Sequence, residues 1–222
     1  MLAFLGGTGP EGKGLALRFA LAGEEVIIGS RDAQRAREAA EGLARLAPSA
    51  RVLGAENAQA AARTETVFLT VPYDGQRPLL KTVGEQLKGK VVVDVVAPMR
   101  FERGRGASAI EVAAGSAAQE AQELLPDSQV VAAFQNVSAE ELQDLEMTME
   151  GDVLVCSDHR PAKELIMGLV RKIPRLRPVD AGGLANSRYV EQITPLLVNI
   201  NRIYKIHAGI QIVGITDESS TR

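Results

Sequence analysis

At 222 residues, with 45% hydrophobic and 24% charged side chains, the chain is long enough to bury a substantial core, as one large unit with a smaller partner. A formal charge of −3, no tryptophan and only 4% aromatic residues leave neither a basic stripe for a phosphate backbone nor a stacking platform, so nucleic acid is not an expected partner. The single cysteine, Cys156, excludes an internal disulfide and a cysteine-rich metal centre, and no apolar run reaches membrane-spanning length, so we expect a cytoplasmic protein.

The chain opens on Met-Leu-Ala-Phe-Leu, which lacks a basic leader and runs straight into glycines, so it reads as a buried strand rather than a signal peptide. From there to about residue 135, short β-rich apolar runs alternate with amphipathic or alanine-rich stretches. The spacing predicts strands near 2–6, 25–29, 51–53, 66–71, 90–96 and 129–134, and helices near 11–22, 31–46, 56–62, 76–87, 108–124 and 139–144. Runs such as Val26-Ile27-Ile28 and Val91-Val92-Val93 are apolar throughout, as strands covered by helices on both faces should be. The predicted fold class is α/β, a Rossmann-type doubly wound, mainly parallel sheet, with a small, mainly helical C-terminal domain.

The division is expected near residue 145, giving a Rossmann-type unit over 1–145 and a smaller one over 146–222. The smaller unit holds a run at Val153-Leu154-Val155-Cys156, a helix over 161–172, an extended segment at 177–180 and a long helix over 187–206. In that last helix Val190, Ile193, Leu197, Ile200 and Tyr204 recur three and four apart, which gives one apolar face for the main domain or a partner subunit. Pro195 is expected to kink it, and residues 216–222 read as a loose polar tail.

The chemistry is carried by the first turn. Gly7-Thr8-Gly9-Pro10-Glu11-Gly12 is a G-x-G-x-x-G run between a predicted strand and a predicted helix. Gly7 permits the tight turn, Gly9 lets backbone approach a pyrophosphate, and Gly12 allows close helix–strand contact while helix N-terminal amides face the phosphates. The competing reading is a glycine-rich turn without a ligand. At the end of the second strand, where an NAD enzyme places a carboxylate for the ribose hydroxyls, stand Gly29-Ser30-Arg31 and then Arg35. A hydroxyl and two guanidinium groups suit the 2′-phosphate of NADP, which a carboxylate would repel. Asp32 reads as a helix start favoured by the helix dipole.

Three more strand ends face the same crevice: Thr70-Val71-Pro72, Val96-Ala97-Pro98 and Phe134-Gln135-Asn136-Val137-Ser138. For each proline, contact with the nicotinamide side competes with a role as plain strand terminator. Neither His159 nor His207 is placed as an acid or base, and no nucleophile or metal motif is visible. So few catalytic side chains favour hydride transfer between two bound cofactors, which requires orientation and exclusion of water more than a proton donor.

Leu5-Gly6-Gly7-Thr8-Gly9 with Gly12-Lys13-Gly14-Leu15-Ala16, Gly29-Ser30-Arg31, Asp180-Ala181-Gly182, Asn186-Ser187-Arg188 and Thr194-Pro195-Leu196 resemble the NADPH-dependent reductases of coenzyme F420, across nearly the whole chain. The resemblance implies reversible hydride transfer between NADP(H) and F420, two small-molecule cofactor substrates, by a homodimer. It would place Thr8, Ser30, Arg31 and Arg35 at the 2′-phosphate and Val71 and Pro72 at the nicotinamide. Ala97, Pro98, Gln135 and Val137 would line the deazaflavin pocket, joined by Asn186 and Ser187. Members of that family often carry histidine where this chain has Gln135. The loop bearing Arg100, Arg103 and Arg105 is either an attractor for the anionic F420 tail or a solvated loop. Two alternatives stand beside this one. An imine or keto-acid reductase resembling pyrroline-5-carboxylate reductase would use Thr194 or Asn201 as substrate anchor, and a non-catalytic NADP sensor would signal through the long helix.

Overall fold

The computed structural model describes residues 1–147 and 149–215. From residue 2 to residue 94 the chain follows one rhythm of strand, helix and return strand. The first five units are β1 (Leu2–Leu5), α1 (Pro10–Leu21), β2 (Val26–Ser30), α2 (Ala33–Leu46), β3 (Val52–Glu56), α3 (Asn57–Ala62), β4 (Thr66–Leu69), α4 (Tyr73–Leu87) and β5 (Val91–Asp94). A hairpin follows, β6 (Met99–Glu102) and β7 (Gly106–Ala109), then α5 (Ala117–Leu124), β8 (Gln129–Ala132) and α6 (Ala139–Gln143). The chain closes with β9 (Gly151–Val155), α7 (Arg160–Val170), β10 (Leu176–Asp180), a 3-10 turn at Leu184–Asn186 and α8 (Ser187–Tyr204).

The main sheet has six strands in the order β3-β2-β1-β4-β5-β8, and every pair in it is parallel. The order reverses beside β1, which opens the ligand crevice at the carboxyl ends of the strands. Side-chain alternation assigns each strand residue to one face or the other. In β1, Leu2 and Phe4 join one apolar layer with α1, α2, α6 and α7, while Ala3 and Leu5 join a second layer with α3, α4, α5 and α8. Phe4 and Phe68 stack in the first layer with ring centroids 4.7 Å apart, and Phe134 packs edge-on against Phe19 at 6.0 Å.

β9 and β10 pair in parallel through the crossover helix α7, and an antiparallel bridge between Ala132 and Cys156 joins them to the end of β8. Val153, Val155 and Ile166 share the apolar layer of Phe4 and Phe68, so the core continues across residue 145.

The expected helix over 108–124 is corrected. Its first part is the hairpin strand β7, paired with β6 from Met99–Ala109 to Glu102–Gly106, and the helix begins only at Ala117. Alanine-rich composition favoured a helix, but two contacts decide otherwise. Asn199 of α8 bonds both the amide and the carbonyl of Ala107, at 2.9 and 2.7 Å, and Ser116 caps α5 by accepting the amide of Gln119. α4 starts at Tyr73 directly after Pro72, three residues before the expected start. α8 continues through Pro195, and the expected tail over 216–222 lies outside the described residues.

Candidate functional site

The glycine turn is built by close approach. Gly6 adopts φ +72°, and a Cβ there would stand 2.2 Å from Val71 Cγ1. At Gly7 the Cβ would meet the Phe4 carbonyl at 2.6 Å, and at Gly12 the Gly7 Cα at 2.5 Å. At Gly9 the nearest atom is 3.8 Å away, so this glycine borders open space. Gly9 is also the N-cap of α1, where no side chain caps the helix. The first-turn amides of α1 therefore point at an open, positively polarised site that a pyrophosphate fits. Asn57, which the sequence reading missed, holds this turn: it starts α3, and its Oδ1 accepts the amide of Gly6 at 3.2 Å. Burial pushes Glu11 in the same helical turn up to about 8, which favours its neutral acid at pH 7 beside an anion site.

At the end of β2, Ser30 is buried and its Oγ accepts the amide of Asp32 at 3.2 Å. Asp32 caps α2, accepting the amides of Gln34 and Arg35, so its carboxylate is engaged as the helix start. Arg31 and Arg35 are exposed, and among the described residues neither guanidinium has a hydrogen bond or ion pair. Thr8 is half-buried in the glycine turn. Two unpaired cations and a hydroxyl beside an open backbone turn make an anion-binding end.

Val71 is half-buried and Pro72 is exposed as the N-cap of α4. Ala97 is half-buried and Pro98 buried, in the turn after β5 that Asp94 stabilises by accepting the Val96 amide at 2.9 Å. Past β8, Phe134 takes φ +72°, a left-handed conformation that is costly for an aromatic residue and turns the chain sharply. Gln135 then folds back, and its Nε2 donates to the Asp94 carbonyl at 2.8 Å. Its own carbonyl accepts the Thr194 hydroxyl at 2.8 Å, and Val137 stands half-buried next to it. Asn186 is exposed and donates to the Ala181 carbonyl at 2.7 Å. Ser187 is fully buried, with its hydroxyl 2.7 Å from that of Ser116. The structure thus brings Val71, Ala97, Gln135 and Val137 to the carboxyl ends of β4, β5 and β8. Ser187 is packed behind that wall, against the cap of α5.

Asp94 and Glu191 were also missed by the sequence reading. Both are buried, at 0% and 2% exposure, and both carboxyls are pushed above the usual range. Burial is the main cause for each, taking Asp94 to about 7 and Glu191 to about 8, and the charge of Asp94 raises Glu191 further. Glu191 receives the amides of Ala117 and Ala118 at 2.8 and 3.1 Å, which seats α8 on the N-terminus of α5. A carboxylate at a strand end or inside a helix ordinarily reads as solvated, so only the packing marks these two. The arginines of the expected tail-binding loop fall on the hairpin, where Arg100 and Arg105 stand 3.1 and 3.8 Å from Glu102. Among the described residues no His, Cys, Asp and Glu cluster forms a metal site, and no helix is long and apolar enough to cross a membrane.

Strand order, the uncapped α1 and the open Gly9 define a Rossmann dinucleotide-binding protein. Comparison with known proteins narrows this. Residues 1–98 match the family model described as NADP oxidoreductase, coenzyme F420-dependent. The chain is 46% identical, over 97% of its own length and 99% of the relative's, to the F420-dependent NADP reductase of Methanothermobacter marburgensis. A crystal structure described as an F420-dependent NADP reductase from Arthrobacter sp. FB24 superposes with a TM-score of 0.81 at 25% identity, covering 96% of this chain and 98% of that one. An imine reductase from Bacillus cereus shares the fold, with a TM-score of 0.64 at 17% identity over 92% of this chain and 62% of that one. The chain belongs to the F420-dependent NADP reductase family.

Proposed function

We propose that this protein transfers a hydride reversibly between NADP(H) and the deazaflavin coenzyme F420. The observation that carries the choice of dinucleotide is the end of β2. Among the described residues Arg31 and Arg35 are unpaired there, Ser30 offers a hydroxyl, and the carboxylate next to them in sequence, Asp32, is engaged in capping α2. Family membership carries the choice of deazaflavin. In this reading Gly7, Gly9 and Gly12 admit the pyrophosphate, and Thr8, Ser30, Arg31 and Arg35 hold the 2′-phosphate. Val71 and Pro72 bound the nicotinamide, while Ala97, Pro98, Gln135 and Val137 wall the deazaflavin, with Asn186 on the α8 side and the buried Ser187 backing it. Bound side by side, the cofactors supply the hydride donor and acceptor; the chain binds, orients and excludes water.

Division of labour near residue 145 fits this assignment, with residues 1–145 holding NADP and 146–222 closing the crevice through α8. The alternative imine-reductase reading is weakened by its own anchors. The Thr194 hydroxyl is engaged by the Gln135 carbonyl, and Asn201 Oδ1 accepts the Ala208 amide at 2.7 Å. A homodimer is supported by a second apolar row on α8, where Tyr189, Leu196 and Ile203 recur every seventh residue at 63%, 58% and 66% exposure. We place the protein in the cytoplasm, where a single buried cysteine stays reduced.

Mixing the purified protein with NADPH and oxidised F420 tests the reading. Rapid loss of the deazaflavin's long-wavelength absorbance with NADPH and not with NADH is expected. NADPH binding without that loss would leave a sensor or an imine reductase. Light scattering tests the dimer, and Leu196→Glu is expected to yield monomers.

A further inference from the structure

The β6–β7 hairpin and the last turn of α8 carry a concentration of positive charge that hydride transfer does not use. The chain as a whole is anionic, with a net charge of −3. Residues 99–111 and 199–205 nonetheless supply five cations, Arg100, Arg103, Arg105, Arg202 and Lys205, against two carboxylates, Glu102 and Glu111. All five cations are exposed. Glu102 is shared between Arg100 at 3.1 Å, Arg105 at 3.8 Å and the Ser108 hydroxyl at 3.1 Å. Among the described residues, Arg103, Arg202 and Lys205 have no ion pair.

Tertiary contacts hold these groups together. The Asn199 side chain of α8 donates to the Ala107 carbonyl at 2.7 Å and accepts the Ala107 amide at 2.9 Å. Three residues on, Arg202 donates to the Arg105 carbonyl at 3.3 Å. Its guanidinium lies over Gly106, where φ is +97° and a Cβ would stand 3.4 Å from Arg202 Cζ. Strand register sets Arg100 opposite Ser108 and Glu102 opposite Gly106, so Arg100, Glu102 and Gly106 share one face of the hairpin.

The patch adjoins the crevice. The hairpin leaves the carboxyl end of β5 directly after Ala97 and Pro98, and its base closes where Ile110 donates its amide to the Pro98 carbonyl at 2.9 Å. On the other side, α8 bonds the Gln135 carbonyl through Thr194 and reaches Arg202 eight residues later, a distance of about 12 Å at the helical rise.

We propose that the hairpin and the last turn of α8 form a subsite for the anionic tail of F420, with Arg103 and Arg202 as its ligands and Arg100, Arg105 and Lys205 adding to its field. The inference rests on the F420 reading above and extends it from the ring to the rest of that molecule. The tail is a phosphodiester followed by carboxylates, groups that guanidinium forks bind in bidentate fashion. Its ribityl, phosphate, lactyl and glutamyl units form a chain long enough to cross from the wall at Gln135 to Arg202. Contacts to the tail are the same before and after the hydride moves, so the subsite lowers KM for F420 without changing kcat.

The test compares F420 with its riboside form, which keeps the ring and ribityl chain and lacks the phosphate, lactyl and glutamyl groups. With saturating NADPH at low salt, KM for F420 is expected to be lower than for the riboside by roughly threefold to thirtyfold. Added salt should raise KM for F420 and leave that for the riboside unchanged, a reading taken on the unmodified protein and independent of any variant's folding. Arg103→Glu and Arg202→Gln, singly and together, should bring KM for F420 towards that for the riboside, with NADPH affinity by calorimetry as the check that the nucleotide site is intact. Equal and salt-insensitive KM values for the two forms, or a gap that survives the double replacement, would overturn the proposal and leave the hydride transfer standing. Reduction of neither form by NADPH would overturn both.

Discussion

The Thr194 hydroxyl on α8 donates to the Gln135 carbonyl at 2.8 Å, tying the last helix to the turn that follows β8. Thr194→Val removes the donor and leaves a buried carbonyl unpaired, so stability should fall by about 1–2 kcal/mol in urea unfolding. Because the lost contact lies on the proposed deazaflavin side, the KM for F420 should rise while NADPH affinity is unchanged. Equal weakening of both would place Thr194 elsewhere in the site.

Arg31, which follows Ser30 at the end of β2, is exposed and has no ion pair among the described residues. Replacing it with alanine removes a charge-assisted contact to phosphate, expected to weaken NADPH by about 1–3 kcal/mol, or roughly five- to 150-fold in Kd. NADH, which lacks that phosphate, should bind as before. Calorimetric titration of both cofactors distinguishes this from a general loss of binding.

Two glycines of one motif should respond in opposite ways. At Gly12 a methyl group would meet the Gly7 Cα at 2.5 Å, so Gly12→Ala should lower stability by about 1–3 kcal/mol as helix and turn are forced apart. At Gly9 nothing lies within 3.8 Å of the added carbon, and Gly9→Ala should leave the melting temperature near that of the parent while weakening NADPH. Thermal melts with and without cofactor make the comparison.

Asp94 and Glu191 have folded-state pKa values raised by burial, so each binds its proton more tightly in the folded chain than in the unfolded one. Their contribution is fully present below the ordinary carboxylate range and is lost as pH rises through about 7 and about 8. Each can tilt stability by up to about 1.4 kcal/mol per pH unit across that interval. Unfolding measured from pH 5 to pH 9 should therefore slope downward, and Asp94→Asn should flatten the slope. An unchanged slope in that variant would remove Asp94 as its source.

The crevice was legible in the sequence because its nucleotide half is local. Gly7, Gly9 and Gly12 stand in one turn, Ser30, Arg31 and Arg35 in one strand end and the helix after it, and each signals through backbone geometry or charge readable without neighbours. The other wall was legible only as strand ends. Gln135 reaches back to Asp94 because Phe134 turns the chain at φ +72°, which no local signal announces for a phenylalanine.

Hydrophobic periodicity was sufficient to place the inner strands of the main sheet, since β1, β2 and β4 bury both faces and are largely apolar, whereas the edge strand β3 is mostly half-buried and runs on to Glu56, past the expected 51–53. It failed at 108–124, where alanine content promised a helix and Asn199, 92 residues away from Ala107, secures a strand. Ser187 illustrates the same limit: its motif drew attention, and packing set its hydroxyl on Ser116.

The sequence by itself determined the alternation of strands and helices in the main sheet, the glycine turn and the hydroxyl and two arginines at and after the end of β2, because backbone freedom and formal charge belong to the residues that carry them. The tertiary structure alone decided which carboxyls are buried, that Glu191 of α8 is seated on the first amides of α5, and how Thr194 ties α8 to the turn after β8. Burial and proximity are properties of the folded chain, and desolvation turns two ordinary acids into groups that hold a proton near neutral pH.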